Sequence, residues 1–153
     1  VQRFSEALES LCIELAQAII RDGEGATKFV EIQVQNAASV DDAHAVAKTV
    51  AHSPLVKTAL FASDANWGRI LAAVGRAPIS SIDVSGIHIW IGDVKLVSAG
   101  AADPDYTEQA GAAVFAQSDI QIRIDMGAGD ASTTVWTCDF SHEYVSINAD
   151  YRS

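Results

Sequence analysis

The chain has 153 residues, of which 49% are apolar and 20% charged, and its formal net charge at pH 7 is −10. A chain of this length forms one domain by default and can bury a substantial core. The acidic balance disfavours nucleic acid and anionic membrane surfaces, because both bind clustered lysine and arginine. The sequence shows neither a transmembrane run nor a signal peptide, and its two cysteines, Cys12 and Cys138, lack metal-ligand spacing. It therefore predicts a cytoplasmic protein with reduced core thiols.

The first predicted element is a helix over residues 4–21. Its apolar residues recur at steps of three and four, which places them on one helix face. They are Phe4, Leu8, Leu11, Cys12, Leu15, Ile19 and Ile20. Because the chain starts inside this helix and without a methionine, we expect the natural start to lie upstream of Val1.

The segment Arg21-Asp-Gly-Glu-Gly-Ala-Thr-Lys28 joins this helix to a predicted strand and places Glu24 between two glycines. A glycine on either side lets the backbone adopt a positive φ or approach a ligand closely. A carboxylate held on such a turn can meet a cation from a substrate or from the protein. Local sequence alone favours a simpler interpretation, in which the helix ends at Gly23 and an ordinary turn follows.

Alternation of apolar and polar residues over positions 28–35 predicts a strand with one polar face. Ser39 then supplies an N-cap for a helix that continues to about His52. We expect His44 and His52 to face solvent, because no acidic or cysteine partner stands at metal-ligand spacing from either.

The apolar run over residues 57–63 fits either a strand or a buried helix. A polar loop follows, in which Asp64 or Asn66 can accept from the backbone N–H groups that open a short helix over residues 70–75. Trp67 is expected to anchor this loop in the core.

The second half of the chain is dominated by predicted strands. They cover residues 82–84, 87–91, 94–97, 120–125 and 133–138, and one helix lies between residues 103 and 116. Gly92-Asp93 and Gly127-Ala-Gly-Asp130 are predicted turns of two hairpins, and the second lacks the third glycine of a dinucleotide fingerprint. Without a strict βαβ rhythm, the pattern predicts an α+β fold with a mixed or antiparallel sheet and helices packed on one side.

The residues alone indicate no catalytic set, since the sequence has no nucleophile elbow, P-loop or metal cluster. They leave two candidate site segments, the Glu24 turn and the tail over residues 148–153.

Three motifs carry more information: Glu24-Gly-Ala-Thr-Lys28, the run Ser53-Pro-Leu-Val-Lys-Thr-Ala-Leu-Phe-Ala-Ser-Asp-Ala-Asn-Trp-Gly-Arg-Ile-Leu-Ala-Ala-Val-Gly75, and the ending Asp139-Phe-Ser-His-Glu-Tyr-Val-Ser-Ile-Asn148 through Tyr151-Arg-Ser153.

These motifs, in this order, resemble the ornithine acetyltransferase family, also called glutamate N-acetyltransferases, of arginine biosynthesis. The resemblance covers nearly the whole chain and implies that residues 1–153 are the C-terminal portion of the β chain of a self-cleaving enzyme. The length also allows small lobes at about residues 1–75 and 76–153.

The resemblance implies a mechanism in which a precursor cleaves itself before a threonine to give α and β chains. The new N-terminal threonine takes acetyl from N-acetylornithine and passes it to glutamate, and acetyl-CoA serves as donor in some members. An N-terminal threonine carries its own α-amine as a base. The family's cleavage motif is absent here, so no catalytic residue is expected in this chain, and its nucleophile is expected upstream of Val1.

The same resemblance implies three substrate-binding residues in this chain: Glu24, Asn148 and Ser153. A carboxylate suits the ammonium of an ornithine-like ligand, and an amide offers both a donor and an acceptor. Asp64, Asn66, Trp67 and Arg69 also match the family and are interpreted as scaffold. No metal or resident cofactor is expected, and the implied partners are the α chain and the rest of β, in an α2β2 assembly.

Two other functions stay open on sequence grounds. The first is an amidase or aminopeptidase of the related self-cleaving fold, in which water replaces glutamate as the acceptor. The second is a stand-alone amino-acid-binding domain, which predicts saturable binding of ornithine or glutamate by this chain alone.

Overall fold

A computed structural model describes residues 2–151 and shows six α-helices, one 3₁₀ turn and six strands in that range. In chain order they are α1 (Gln2–Arg21), β1 (Phe29–Ala37), α2 (Val40–Ala51), α3 (Pro54–Phe61), α4 (Trp67–Gly75), the 3₁₀ turn (Val84–Gly86), β2 (His88–Ile91), β3 (Val94–Ser98), β4 (Ala101–Ala102), α5 (Glu108–Phe115), β5 (Asp119–Asp125), β6 (Ala131–Cys138) and α6 (His142–Asp150).

All six strands form one mixed sheet in the order β4-β3-β2-β5-β1-β6. β1 runs parallel to β5, and the other neighbours are antiparallel. The prediction of an α+β fold with a mixed sheet is confirmed. Because β1 lies between β5 and β6, strands from both halves of the sequence share this sheet.

One face of the sheet is apolar and carries the helices. The register pairs Ile32 of β1 with Ile122 of β5, and Ile122 with Ile91 of β2, so these buried side chains share one face. Helices α2, α4 and α5 contribute to the same buried cluster. On the opposite face Glu31 accepts from Trp136 Nε1 at 3.1 Å and from Gln121 Nε2 at 2.9 Å. Helices α2, α4 and α5 therefore pack on one side, as predicted.

Two predicted helix caps are present. Ser39 Oγ accepts from the N–H of Asp42, and Asn66 Oδ1 accepts from the N–H of Arg69. The ambiguous run over residues 57–63 is mostly helical, because Ser53 caps α3 and Pro54 opens it. Trp67 packs against the core, as expected.

The predicted hairpin of β5 and β6 is wrong. The Gly127-Ala-Gly-Asp130 turn does not join neighbouring strands but crosses the end of β1. There the carbonyl of Asn36 accepts from the N–H groups of Ala128 and Gly129. The hairpin of β2 and β3 around Gly92 is confirmed.

The predicted strand over residues 82–84 is also wrong. Asp83 Oδ1 accepts from both the N–H and the hydroxyl of Ser85, and this local bonding closes the 3₁₀ turn instead. The assignment of Cys12 to the core is wrong as well: Cys12 is exposed on α1, and Cys138 is half-buried. Among residues 2–151, no helix combines the length and apolarity needed to cross a bilayer.

Candidate functional site

The Glu24 turn is held against the start of α6. Gly25 has φ of +65°, which confirms that a glycine is needed there. A Cβ on Gly25 would lie 2.7 Å from Ser141 Oγ and 2.7 Å from the backbone nitrogen of Tyr144. Ser141 is itself the N-cap of α6, since its Oγ accepts from the Tyr144 N–H at 3.2 Å. The turn therefore approaches this helix more closely than any larger residue would allow.

This packing brings together Glu24 and Asn148, two of the three residues implied by the motifs. Asn148 Nδ2 donates to Glu24 Oε2 at 2.9 Å, across 124 positions of sequence. The same Nδ2 donates to the carbonyl of Tyr144, also at 2.9 Å. Both side chains are exposed, so the pair is open to a ligand. Ser153, the third implied residue, lies outside the described residues.

The pair is rich in hydrogen-bond acceptors. Both hydrogens of Asn148 Nδ2 are engaged, which leaves its Oδ1 and the Glu24 carboxylate as oxygens for a ligand. In the described range no cationic side chain forms an ion pair with Glu24. An ammonium group supplies three donors and a positive charge, so it complements this arrangement.

Asp139 holds the Glu24 turn in place through hydrogen bonds to the residues that follow it. This supporting residue was not identified from the sequence. Its buried carboxylate accepts from the N–H of Thr27 at 2.8 Å, from the N–H of Lys28 at 2.9 Å and from Thr27 Oγ1 at 2.6 Å. The donors lie more than 100 positions away, so no local pattern could have identified them. The available signal was its place at the start of the third motif.

Lys28 is a buried cation beside this clamp. Its Nζ donates to Ser63 Oγ at 2.6 Å and to the carbonyl of Phe115. Burial lowers the pKa of the Lys28 ammonium, while the charge of Asp139 acts in the opposite direction. Lys28 thus ties the start of β1 to the turn after α3 and to the end of α5 through neutral acceptors.

A cavity of about 280 Å³ lies between α3 and the start of α6. Its walls include Lys57, Cys138, Phe140 and Tyr144. Lys57 Nζ donates to Thr137 Oγ1 at 3.0 Å and to the carbonyl of Cys138, so α3 supports the end of β6. The segment that leads into α6 is therefore fixed from two sides.

A larger cavity, of about 400 Å³, includes neither Glu24 nor Asn148. It is lined by Ser63, Asp64, Ala65, Asn66, Trp67, Gly68, Tyr106, Glu108 and Ala112. Burial, then the charges of Glu108 and Asp64, raise the pKa of the Tyr106 hydroxyl. The observed contacts of Asp64 and Asn66 are local: Asn66 caps α4, and its amide donates to Asp64 at 3.0 Å.

Two further sequence interpretations concern metals and histidines. His44 and His52 are both exposed, as expected. Within residues 2–151, no three His, Cys, Asp or Glu side chains converge on a point that could hold a metal ion.

Comparisons with known proteins match the chain along its whole length. The sequence model described as the ArgJ family matches residues 1–153. "Arginine biosynthesis bifunctional protein ArgJ" of Methylococcus capsulatus is 56% identical over 153 residues, which are 100% of this chain and 38% of that protein. The protein of the same name from Pseudomonas fluorescens is 55% identical over 151 residues, 99% of this chain and 37% of its own length.

A solved structure agrees with these relatives. The crystal structure of arginine biosynthesis bifunctional protein ArgJ from Bacillus halodurans superposes with a TM-score of 0.92 at 36% identity. The match covers 98% of this chain and 70% of that one. The chain spans less than two fifths of the length of the curated relatives that it matches. With a family model that covers every residue and relatives more than half identical, this chain belongs to the ArgJ family.

Proposed function

We propose that this chain is part of an acyltransferase that moves acetyl from N-acetylornithine to glutamate in arginine biosynthesis. In this proposal Glu24 and Asn148 bind the free ammonium group of the ornithine moiety. The relatives named as arginine biosynthesis bifunctional proteins support this assignment.

The observation that carries the proposal is the contact between Glu24 and Asn148. Both residues belong to motifs that resemble the acetyltransferases, and they meet although 124 positions separate them. Their remaining oxygens match an ammonium better than a carboxylate or a phosphate, since two acceptor groups would repel an anion. Ser153 is proposed to add a third contact to the substrate.

The chemistry itself is assigned to the part of the enzyme outside this chain. There an N-terminal threonine, released by self-cleavage of a precursor, attacks the acetyl carbonyl and holds the acetyl group as an ester. The leaving amine takes a proton from the threonine's α-ammonium, which serves as the local acid and base. The amine of glutamate then attacks this ester, and its proton passes through the α-amine to the threonine oxygen as N-acetylglutamate leaves. Acetyl-CoA is an alternative donor for the first step, the acetylation of the threonine. No resident cofactor is required.

The proposed partners are the α chain and the rest of the β chain, in an α2β2 assembly in the cytoplasm. Helix α1 supports this proposal, because its apolar side chains are exposed along one face and none is buried. An apolar stripe of this length is typical of a surface that another polypeptide segment covers.

The test is an assay of the full-length, processed protein for ornithine formed from N-acetylornithine and glutamate. Glu24→Gln keeps the shape of the side chain and removes its charge. A charge-assisted hydrogen bond contributes about 1.5–3 kcal/mol, so KM for N-acetylornithine should rise roughly 10- to 100-fold. Glu143→Gln removes a neighbouring exposed carboxylate that shares no hydrogen bond with Asn148, and it should leave KM within about twofold.

Two results would overturn the proposal. One is the absence of acetyl transfer by the processed wild-type enzyme. The other is an equal KM for Glu24→Gln and the wild type. Release of acetate without acetylglutamate would favour the amidase, and calorimetric binding of ornithine to residues 1–153 alone would favour a stand-alone binding domain.

A further inference from the structure

We infer that Asp139 is a positioning residue of the substrate site. Its carboxylate sets the placement of the Glu24 turn relative to α6, and thereby the affinity for the substrate's ammonium group. The inference rests on the proposed function, because it concerns the same pair of binding residues.

The geometry of Asp139 differs from that of an ordinary turn cap. Both of its oxygens are used, and all three donors come from two consecutive residues, Thr27 and Lys28. Asp139 is only 4% exposed, so water does not replace these partners. A planar carboxylate with donors on both oxygens fixes the direction of the segment that it holds as well as its distance.

The position of Asp139 in the chain connects it to both binding residues. Thr27 is three positions after Glu24, and Ser141, the cap of α6, is two positions after Asp139. The Asp139 N–H also donates to the Lys28 carbonyl at 3.4 Å, which continues the pairing of β6 with β1. Asp139 is therefore close to both binding residues: its hydrogen-bond donors follow Glu24 in the sequence, and Asp139 itself precedes the helix that carries Asn148.

The close contact between Gly25 and α6 makes the hydrogen bond between Glu24 and Asn148 sensitive to small movements of the turn. The Cβ distances of 2.7 Å show that the turn and the helix leave no free space between them. A small rotation of the turn about the start of β1 would separate Glu24 from Asn148, because a hydrogen bond weakens steeply with angle and distance. The side chains of the binding pair are exposed, so the buried Asp139 clamp supplies the rigidity that they lack.

Asp125 offers a matched comparison at the other end of the sheet. Its Oδ1 accepts from the Gly127 N–H at 2.9 Å, and its Oδ2 accepts from Asn36 Nδ2 at 2.8 Å. This carboxylate also holds a glycine-containing turn, but at the opposite end of β1 from Glu24. The Asp125 bonds are exposed and lie far from Glu24, so Asp125→Ala tests whether the loss of any turn-holding carboxylate changes KM.

The experiment measures kcat and KM for N-acetylornithine in the full-length processed enzyme. Asp139→Ala should raise KM roughly 10- to 100-fold, as expected when a binding group is misplaced, with kcat within about twofold. Asp139→Asn keeps one oxygen for both backbone N–H groups and can donate to Thr27 Oγ1, so it should restore KM to within about threefold. Asp125→Ala should leave KM unchanged.

A double-mutant cycle with Glu24→Gln separates positioning from general damage. If Asp139 acts through Glu24, Asp139→Ala should add little to KM once Glu24 is neutralised, so the two effects should be strongly non-additive. If Asp139→Ala raises KM by the same factor in the wild type and in Glu24→Gln, the inference is overturned. If Asp139→Ala does not fold, Thr27→Val provides a second test, because it removes one of the three donors. Thr27→Val should raise KM by a larger factor than it changes kcat. An unchanged KM in Thr27→Val would contradict the inference.

The outcomes also distinguish this inference from the function on which it rests. A raised KM for Glu24→Gln together with a wild-type KM for Asp139→Ala overturns the positioning role alone. A wild-type KM for Glu24→Gln overturns the proposed function, and the positioning role with it.

Discussion

Two amphipathic helices of this chain, α1 and α2, face different surroundings. Helix α2 buries Ala43, Val46, Ala47, Val50 and Ala51 against the sheet and α4. Helix α1 is longer and has an equally regular apolar face, yet it has no buried residue. Its Phe4 and Ile19 are each 72% exposed, and Leu11 is 51% exposed. Periodicity therefore predicts which face of a helix is apolar, but not what covers that face.

The largest expected difference between the two helices is in core stability. Val50→Ala in α2 removes two buried methyl groups and leaves a small cavity. It should lower the free energy of unfolding by about 2 kcal/mol. Urea unfolding of the 153-residue chain, followed by circular dichroism, measures this change. A loss below about 0.5 kcal/mol would show that α2 is not part of the cooperative core.

The matched substitution in α1 should have a much smaller effect. Leu11→Ala also removes apolar atoms, but from an exposed position, so the same urea experiment should give a change within about 0.5 kcal/mol. Repeating the measurement in the full-length protein sharpens the comparison. If other segments cover α1 there, Leu11→Ala should become as costly as Val50→Ala.

The smallest effect concerns the polar contact that joins the end of α1 to the sheet. Arg21 donates to both oxygens of Asp119 at 2.8 and 2.7 Å, and its guanidinium lies 3.9 Å from the Phe29 ring centroid. This hydrogen bond lowers the pKa of the Asp119 carboxyl. Between the folded and unfolded pKa values the unfolded chain binds more protons, so stability there rises with pH.

The contribution of Asp119 should therefore be fully present above the pKa of an unfolded aspartate, about 3.9, and lost as the pH falls through the lower folded value. Both side chains are about half exposed, so the effect is small and is screened by salt. Urea unfolding of the wild type and of Asp119→Asn at neutral and acid pH measures it. A difference between the two proteins that persists in strong acid would contradict this explanation.

Local chemistry was sufficient to predict much of the fold. The Ser39 cap, the alternation in β1 and the Gly92 turn each depend on neighbours within a few positions, and each is present in the structure. The order of strands depends on distant pairing. For that reason the sequence suggested that β5 and β6 pair with each other, whereas β1 lies between them.

In the candidate site, too, the sequence predicts some residues, whereas others depend on contacts between distant segments. The motifs identified Glu24 and Asn148, and the structure brings them into contact. The motifs did not identify Asp139 as their support, because its donors are more than 100 positions away and a single aspartate after a strand has no local signature. The prediction that Cys12 is a core thiol is wrong because periodicity marks the apolar face of α1 but does not show that this face is buried.

The long separation between Glu24 and Asn148 has a consequence for how the site is acquired. Closing a chain segment of this length costs conformational entropy, which must be offset by other contacts that bring the two residues together. β6 pairs with β1 and leads directly into α6, so the pairing of these two strands brings Asn148 to the Glu24 turn. A chain in which β6 has not paired with β1 therefore lacks this contact. The Glu24–Asn148 contact therefore depends on the strand pairing that completes this edge of the sheet.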